Sequence, residues 1–212
     1  MKMNFIFKRL IFLILLFALC SPYLFASRAS SVVLTNGTIH SFERCPVKSS
    51  KQLRCNTYLQ TTAYTCGPAA AMTIMNYYNK LKGSQLNRQM ELTIAKEMGA
   101  DENGVSTSTL SSWLGSHGFS ISSGDYVSTD TIIEYIDKGR PVIVGFDSHW
   151  MVAIGYTKSS NGDSSHDQIM FSDSCCNRRI IGRDTLDSTW QDAHMLHSHC
   201  GGNGNYIVAT PG

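Results

Sequence analysis

The 212-residue chain carries 18 Lys and Arg against 16 Asp and Glu, with 42% hydrophobic and 16% charged residues. That length and apolar content suit one globular domain with a sizeable core, and exclude a disordered, coiled-coil or repeat protein. The near-balance of charge, with no basic patch, argues against nucleic acid or an acidic membrane surface as partner.

Residues 1–26 place Lys2, Lys8 and Arg9 ahead of the apolar run from Leu10 to Ala18, followed by Ser21, Pro22 and a small-residue exit at Ala26. This pattern predicts a secretory signal peptide. Its apolar stretch falls short of the roughly 20 residues of a membrane span, so no stable membrane insertion is expected once the leader is removed. The expected location is outside the cytoplasm, either periplasmic or secreted. Cleavage would take three of the basic residues and none of the acidic ones, leaving a near-neutral mature protein.

Residues 27–54 read as an N-terminal arm, with a β-like run at Ser31–Thr35 broken by the turn signal Asn36-Gly37. Residues 55–212 read as the main domain. Export makes disulfides possible, and Cys45–Cys55 is the natural pairing, with Cys200 joined to Cys175 or Cys176.

The stretch Gln60-Thr-Thr-Ala-Tyr-Thr-Cys66-Gly-Pro-Ala runs from a Thr-rich loop into a helix. Gly67 would allow a tight turn and Pro68 suits a first helical turn. Ala71, Ile74, Tyr78 and Leu81, widened by Met72 and Met75, predict a largely buried helix that Gly83 ends. A thiol at such a helix start lies at the positive end of the dipole, beside backbone N–H groups, which favours its thiolate and makes a nucleophile. The same residues also suit a buried structural cysteine.

A second helix is expected over Leu86–Met98, stopping at Gly99. A third follows the caps Ser106-Thr-Ser-Thr and carries Leu110, Trp113 and Leu114; a fourth follows Ser128-Thr-Asp130 and ends at Gly139. The character then switches to strands at Pro141–Phe146, Trp150–Tyr156, Gln168–Phe171 and Asn205–Ala209. Helices first and strands second predict an α+β fold with an N-terminal helical half packed on a C-terminal antiparallel sheet.

Gln60-x5-Cys66-Gly67-Pro68-Ala69, then Gly139-Arg-Pro-Val-Ile-Val, then His149-Trp-Met-Val-Ala-Ile-Gly-Tyr156 and a strand ending in Asp173, resemble the papain-like cysteine peptidases related to the bacteriocin double-glycine leader peptidases. The resemblance covers roughly residues 55–175. It implies a papain-like fold and, in order, an oxyanion-stabilising Gln60, a nucleophilic Cys66, a general-base His149 and an orienting Asp173. His149 is also favoured over the other histidines because it opens an apolar strand, where a polar group needs a partner. Asn161, Asp163 and Asp167 are weaker substitutes for Asp173.

The expected chemistry is cleavage of a peptide or amide bond through an acyl-enzyme, with no cofactor and no metal. Acyl transfer, as in bacterial relatives of phytochelatin synthase with a similar Gln-x5-Cys-Gly-Pro segment, and a non-catalytic binding domain of the same fold remain as alternatives. Cys175-Cys176 and His194-Met-Leu-His197-Ser-His199-Cys200 have spacings that suit zinc or copper, or a disulfide-pinned loop instead. Arg178 and Arg179 read as a solvated pair or as substrate contacts.

Overall fold

The computed structural model describes residues 47–193 and 204–212, all within one unit that spans 43–212. The leader, the Ser31–Thr35 run, Cys45 and the His194–Cys200 cluster lie outside the described residues. Among those described, no helix is long and apolar enough to cross a membrane.

Seven strands, β1 (Val47–Gln52), β2 (Phe119–Gly124), β3 (Val142–Phe146), β4 (His149–Ser159), β5 (Gln168–Asp173), β6 (Asn177–Gly182) and β7 (Tyr206–Pro211), form one antiparallel sheet in the order β2-β7-β3-β4-β5-β6, with β1 also paired to β4. Among the described residues five α-helices accompany it: α1 (Cys66–Tyr77), α2 (Arg88–Met98), α3 (Thr107–Ser116), α4 (Thr129–Asp137) and α5 (Arg183–Ala193). The expected α+β, papain-like arrangement of helices followed by antiparallel sheet is the one observed.

The sheet is buried on both faces, which explains why β3 and β4 are continuous apolar runs rather than alternating ones. Ile143, Trp150, Val152, Ile154 and Ile207 point to the side of α1, α2 and α3, where they pack with Met72, Ile74, Ile94, Leu110 and Leu114. Val142, Val144, Met151, Ala153 and Phe171 point the other way, onto Ile132, Ile133 and Ile136 of α4 and Leu186 of α5. The two-residue period of a strand sends successive side chains to opposite faces, so each apolar run supplies both cores.

The helix boundaries follow their capping residues. Asn87, Ser106 and Ser128 accept from backbone N–H groups at the starts of α2, α3 and α4, and Gly99 ends α2 in the left-handed region. One boundary differs from expectation. α1 stops at Tyr77, with Asn79 in the left-handed region, well before Gly83, which begins a short 3-10 turn. Leu81 is nonetheless buried, because the chain folds back under the helix end.

Each expected disulfide has one partner, Cys45 or Cys200, outside the described residues; among the described residues Cys55, Cys66, Cys175 and Cys176 are unbridged. Cys55 packs against both cores, where burial pushes its pKa up to about 12 and makes it a small apolar side chain.

Candidate active site

Cys66 is the first residue of α1 and only 2% exposed. The preceding Thr65 provides no side-chain cap; its hydroxyl donates to Glu91. Gly67 is needed for a reason other than the expected turn. A Cβ there would collide with Val105 Cγ2 and lie 3.4 Å from Trp150 Cδ1, so only glycine lets the helix start press onto the sheet. Trp150, fully buried, donates from its indole nitrogen to the Val105 carbonyl at 3.0 Å and locks that packing.

His149 is the first residue of β4 and enters from a two-residue hairpin, since Phe146 pairs with His149 across Asp147-Ser148. Both turn residues have positive φ, 51° and 58°, although neither is glycine. This is the backbone of a type I′ turn occupied by costly residues, strain of the kind that gathers at functional sites. The turn delivers the imidazole to a cleft of about 310 Å³ lined by Ala63, Tyr64, Cys66, Glu102, Asn103, Gly104, Ser148 and His149.

Asp173 ends β5, the neighbour of β4, and the Val152–Ser172 pairing brings it to the same end of the sheet as His149. His149 Nε2 lies 2.9 Å from Asp173 Oδ1. With Nε2 so engaged, Nδ1 is the nitrogen on the other side of the ring. The Cys175 backbone N–H also donates to Asp173 Oδ1, at 2.8 Å, while Arg179 Nε lies 2.8 Å from Oδ2. Burial of Asp173 raises its pKa, but the hydrogen bonds from His149 and Cys175 and the His149 and Arg179 charges outweigh it and hold the carboxyl at about 2.

Gln60 sits against the turn that follows Asp173 and is not among the residues lining the cleft. Its backbone N–H donates to the Ser174 carbonyl at 3.0 Å, its Oε1 accepts from Ser174 Oγ at 2.6 Å, and its Nε2 donates to the Thr62 carbonyl at 2.7 Å. That carbonyl can only accept, which fixes the orientation of the amide and leaves Nε2 a second N–H. The turn after β5 therefore holds two of the four sequence-identified residues: Asp173 directly, and Gln60 through Ser174.

Two contributors have roles that the sequence does not show. Arg179, expected as a solvated residue or a substrate contact, lies on β6 and braces Asp173 from behind. Glu91, in the first turn of α2, is fully buried and accepts from Thr61 N–H at 2.8 Å, Thr61 Oγ1 at 2.6 Å, Tyr58 OH at 2.8 Å and Thr65 Oγ1. Burial raises the pKa of Glu91, but these donors more than compensate and lower it overall. One carboxylate thus pins both ends of the loop from Thr61 to Thr65 that leads into Cys66. The signal for it was the Thr-rich loop itself, a set of hydroxyl donors in want of an acceptor.

Ligand atoms of His149, Asp173 and Cys175 lie within 4.8 Å of one another, a group of the kind that can hold a metal ion. Arg183 belongs to a separate structural cluster, bridging Asp130 and Asp167.

A family model described as Peptidase_C39 like family matches residues 51–195. The chain belongs to that family. No curated protein matches this C39-like chain. Among solved structures, a protein titled as a C39-like peptidase from Bacillus anthracis is similar at 11% identity and a TM-score of 0.55, covering 77% of this chain and 98% of that one. A double glycine motif protease from an AMS/PCAT transporter, solved with its leader peptide, is similar at 14% identity and a TM-score of 0.52, covering 76% and 95%. At such identities these structures share the fold of the C39-like chain; membership of the family supports a cysteine-peptidase-like hydrolase.

Proposed function

We propose that the protein is an exported cysteine peptidase or amidohydrolase that cleaves a peptide or amide bond through an acyl-enzyme on Cys66. The observation that carries this is the 2.9 Å contact of His149 Nε2 with a fully buried Asp173, with His149 and Cys66 lining one cleft.

In this reading the Cys66 sulfur attacks the substrate carbonyl carbon, and His149 takes the thiol proton on Nδ1 and returns it to the leaving amine. Asp173 holds the Nε2–H, fixing the tautomer and stabilising the imidazolium. The start of α1 favours the thiolate through its dipole. The Cys66 backbone N–H and the second N–H of Gln60 Nε2 receive the oxygen that becomes negative; one such donor is worth about 3 kcal/mol of barrier. Water then cleaves the thioester with His149 as base.

The substrate in this reading is a peptide, and a structure of the same fold is solved with a leader peptide. Export rests on the N-terminal leader pattern of residues 1–26.

The test is digestion of a mixed peptide library with the mature protein and with its Cys66→Ala variant. New termini are expected with the former and none with the latter; cleavage that persists without the thiol would overturn the assignment.

A further inference from the structure

The turn after β5 carries two thiols that the proposed chemistry does not use. Cys175 Sγ lies 3.6 Å from Gln60 Oε1, and Cys176 Sγ lies 3.3 Å from Asp173 Oδ2. Both residues are exposed and unbridged. They stand on the side of His149 that faces Asp173, and Cys175 joins these two in the group whose ligand atoms fall within 4.8 Å.

We propose that this group is an inhibitory site for a soft divalent cation, with zinc the best fit, held by His149 Nε2, Asp173 Oδ1 and Cys175 Sγ, with water completing the coordination and Cys176 flanking the site through Asp173 Oδ2. The inhibitory consequence rests on the reading of His149 as proton acceptor; the binding site does not.

Nitrogen, oxygen and sulfur together form a donor set that zinc accepts and that magnesium or calcium does not favour. Zinc bond lengths of about 2.0–2.3 Å in a tetrahedron place ligand atoms about 3.3–3.8 Å apart. The His149–Asp173 pair, at 2.9 Å, would open by about 0.4 Å to admit the ion, and the Cys175 sulfur would draw in by roughly an ångström, which an exposed cysteine on a short turn can do by rotating χ1. Arg179 braces Asp173 through Oδ2, while Oδ1 keeps the Cys175 N–H on one lone pair and would turn the other, which now faces His149, to the ion.

Binding balances simply. The Cys175 thiol loses its proton to solvent, and neutral His149 coordinates through Nε2 with its remaining proton on Nδ1. An imidazole in that state has no lone pair to offer the Cys66 thiol. Zinc would thus stop the reaction without touching the nucleophile.

The test uses chelator-stripped protein kept reduced with a phosphine. Cobalt(II) is titrated as a spectroscopic substitute, and zinc is titrated against the labelling of Cys66 by a thiol-directed electrophile, located by peptide mapping. One equivalent of cobalt should give a thiolate-to-cobalt charge-transfer band in the wild type and in Cys66→Ala, and the band should vanish in a Cys175→Ser/Cys176→Ser variant. Zinc should slow Cys66 labelling reversibly, and the double variant should need about tenfold more zinc or above for the same effect. No cobalt band, or one indifferent to the double substitution, would overturn the site. A band with unchanged Cys66 labelling under zinc would overturn the inhibition. Should no peptide ever be cleaved, the cobalt band in Cys66→Ala would still read the site independently of the proposed function.

Discussion

Asp173 stays ionised with no solvent exposure because three donors converge on it: the His149 imidazole, the Cys175 backbone N–H and the Arg179 guanidinium. Glu91 is the second buried carboxylate near the site, and its task is mechanical. Its donors include a backbone N–H, which cannot reverse its polarity as the Thr61, Thr65 and Tyr58 hydroxyls can. Glu91→Gln keeps the shape but turns an amide NH2 toward those donors. It should cost about 3 kcal/mol in urea unfolding and slow any reaction at Cys66 by loosening the loop ahead of it. A variant as stable as the wild type would show that the loop holds itself. Gln60, Cys66, His149 and Asp173 could be nominated from the sequence because their spacing and order resemble those of a family, and the structure brings His149 to Asp173 and lines one cleft with His149 and Cys66. The roles of Arg179 and Glu91 could not be: Arg179 earns its place only when β6 pairs with β5, and Glu91 reads as an ordinary acidic residue in a first helical turn until Thr61 and Thr65 fold over it.

At the scale of elements, the site is assembled where α1, the β3–β4 hairpin and the β5–β6 turn meet. The closest fit is between α1 and the sheet at Gly67, whose missing side chain leaves room for Val105 and Trp150. Gly67→Ala should destabilise the fold by about 1–3 kcal/mol through overpacking. Adding Val105→Ala, which removes the colliding methyl, should recover part of that loss in thermal unfolding. If the double variant were worse by the sum of the single costs, the close approach would not be the reason for glycine. Helix starts at Ser106 and Ser128 and the apolar strands β3, β4 and β5 could be read directly, since capping chemistry and β-branched runs are local properties. β1, β2, β6 and α5 could not. β1 (VKSSKQ) and β6 (NRRIIG) are polar segments that become strands only because β4 and β5 offer them backbone partners.

For the whole molecule, the two buried carboxylates set the response to acid. Asp173, held at about 2 against an ordinary 3.8, contributes about 2 kcal/mol of stability that is present above pH 3.8 and lost as pH falls toward 2. Glu91 acts in the same direction, since its pKa is also lowered in the folded state from its ordinary 4.5. Stability measured by urea unfolding should therefore fall steadily as pH drops below about 4.5. Arg179→Ala should shrink the part of that fall contributed by Asp173; an identical pH dependence would mean that the guanidinium does not stabilise the carboxylate. The sheet makes this arrangement a property of the entire fold, because a one-residue slip between β4 and β5 would turn Asp173 to the opposite face from His149. The central claim is that an imidazole fixed by that register activates the thiol at the start of α1. The rate of Cys66 alkylation by a small electrophile, mapped to the residue and followed at neutral pH, tests it most directly: it should drop by about tenfold or more in His149→Ala, whereas equal rates in the two proteins would contradict the account.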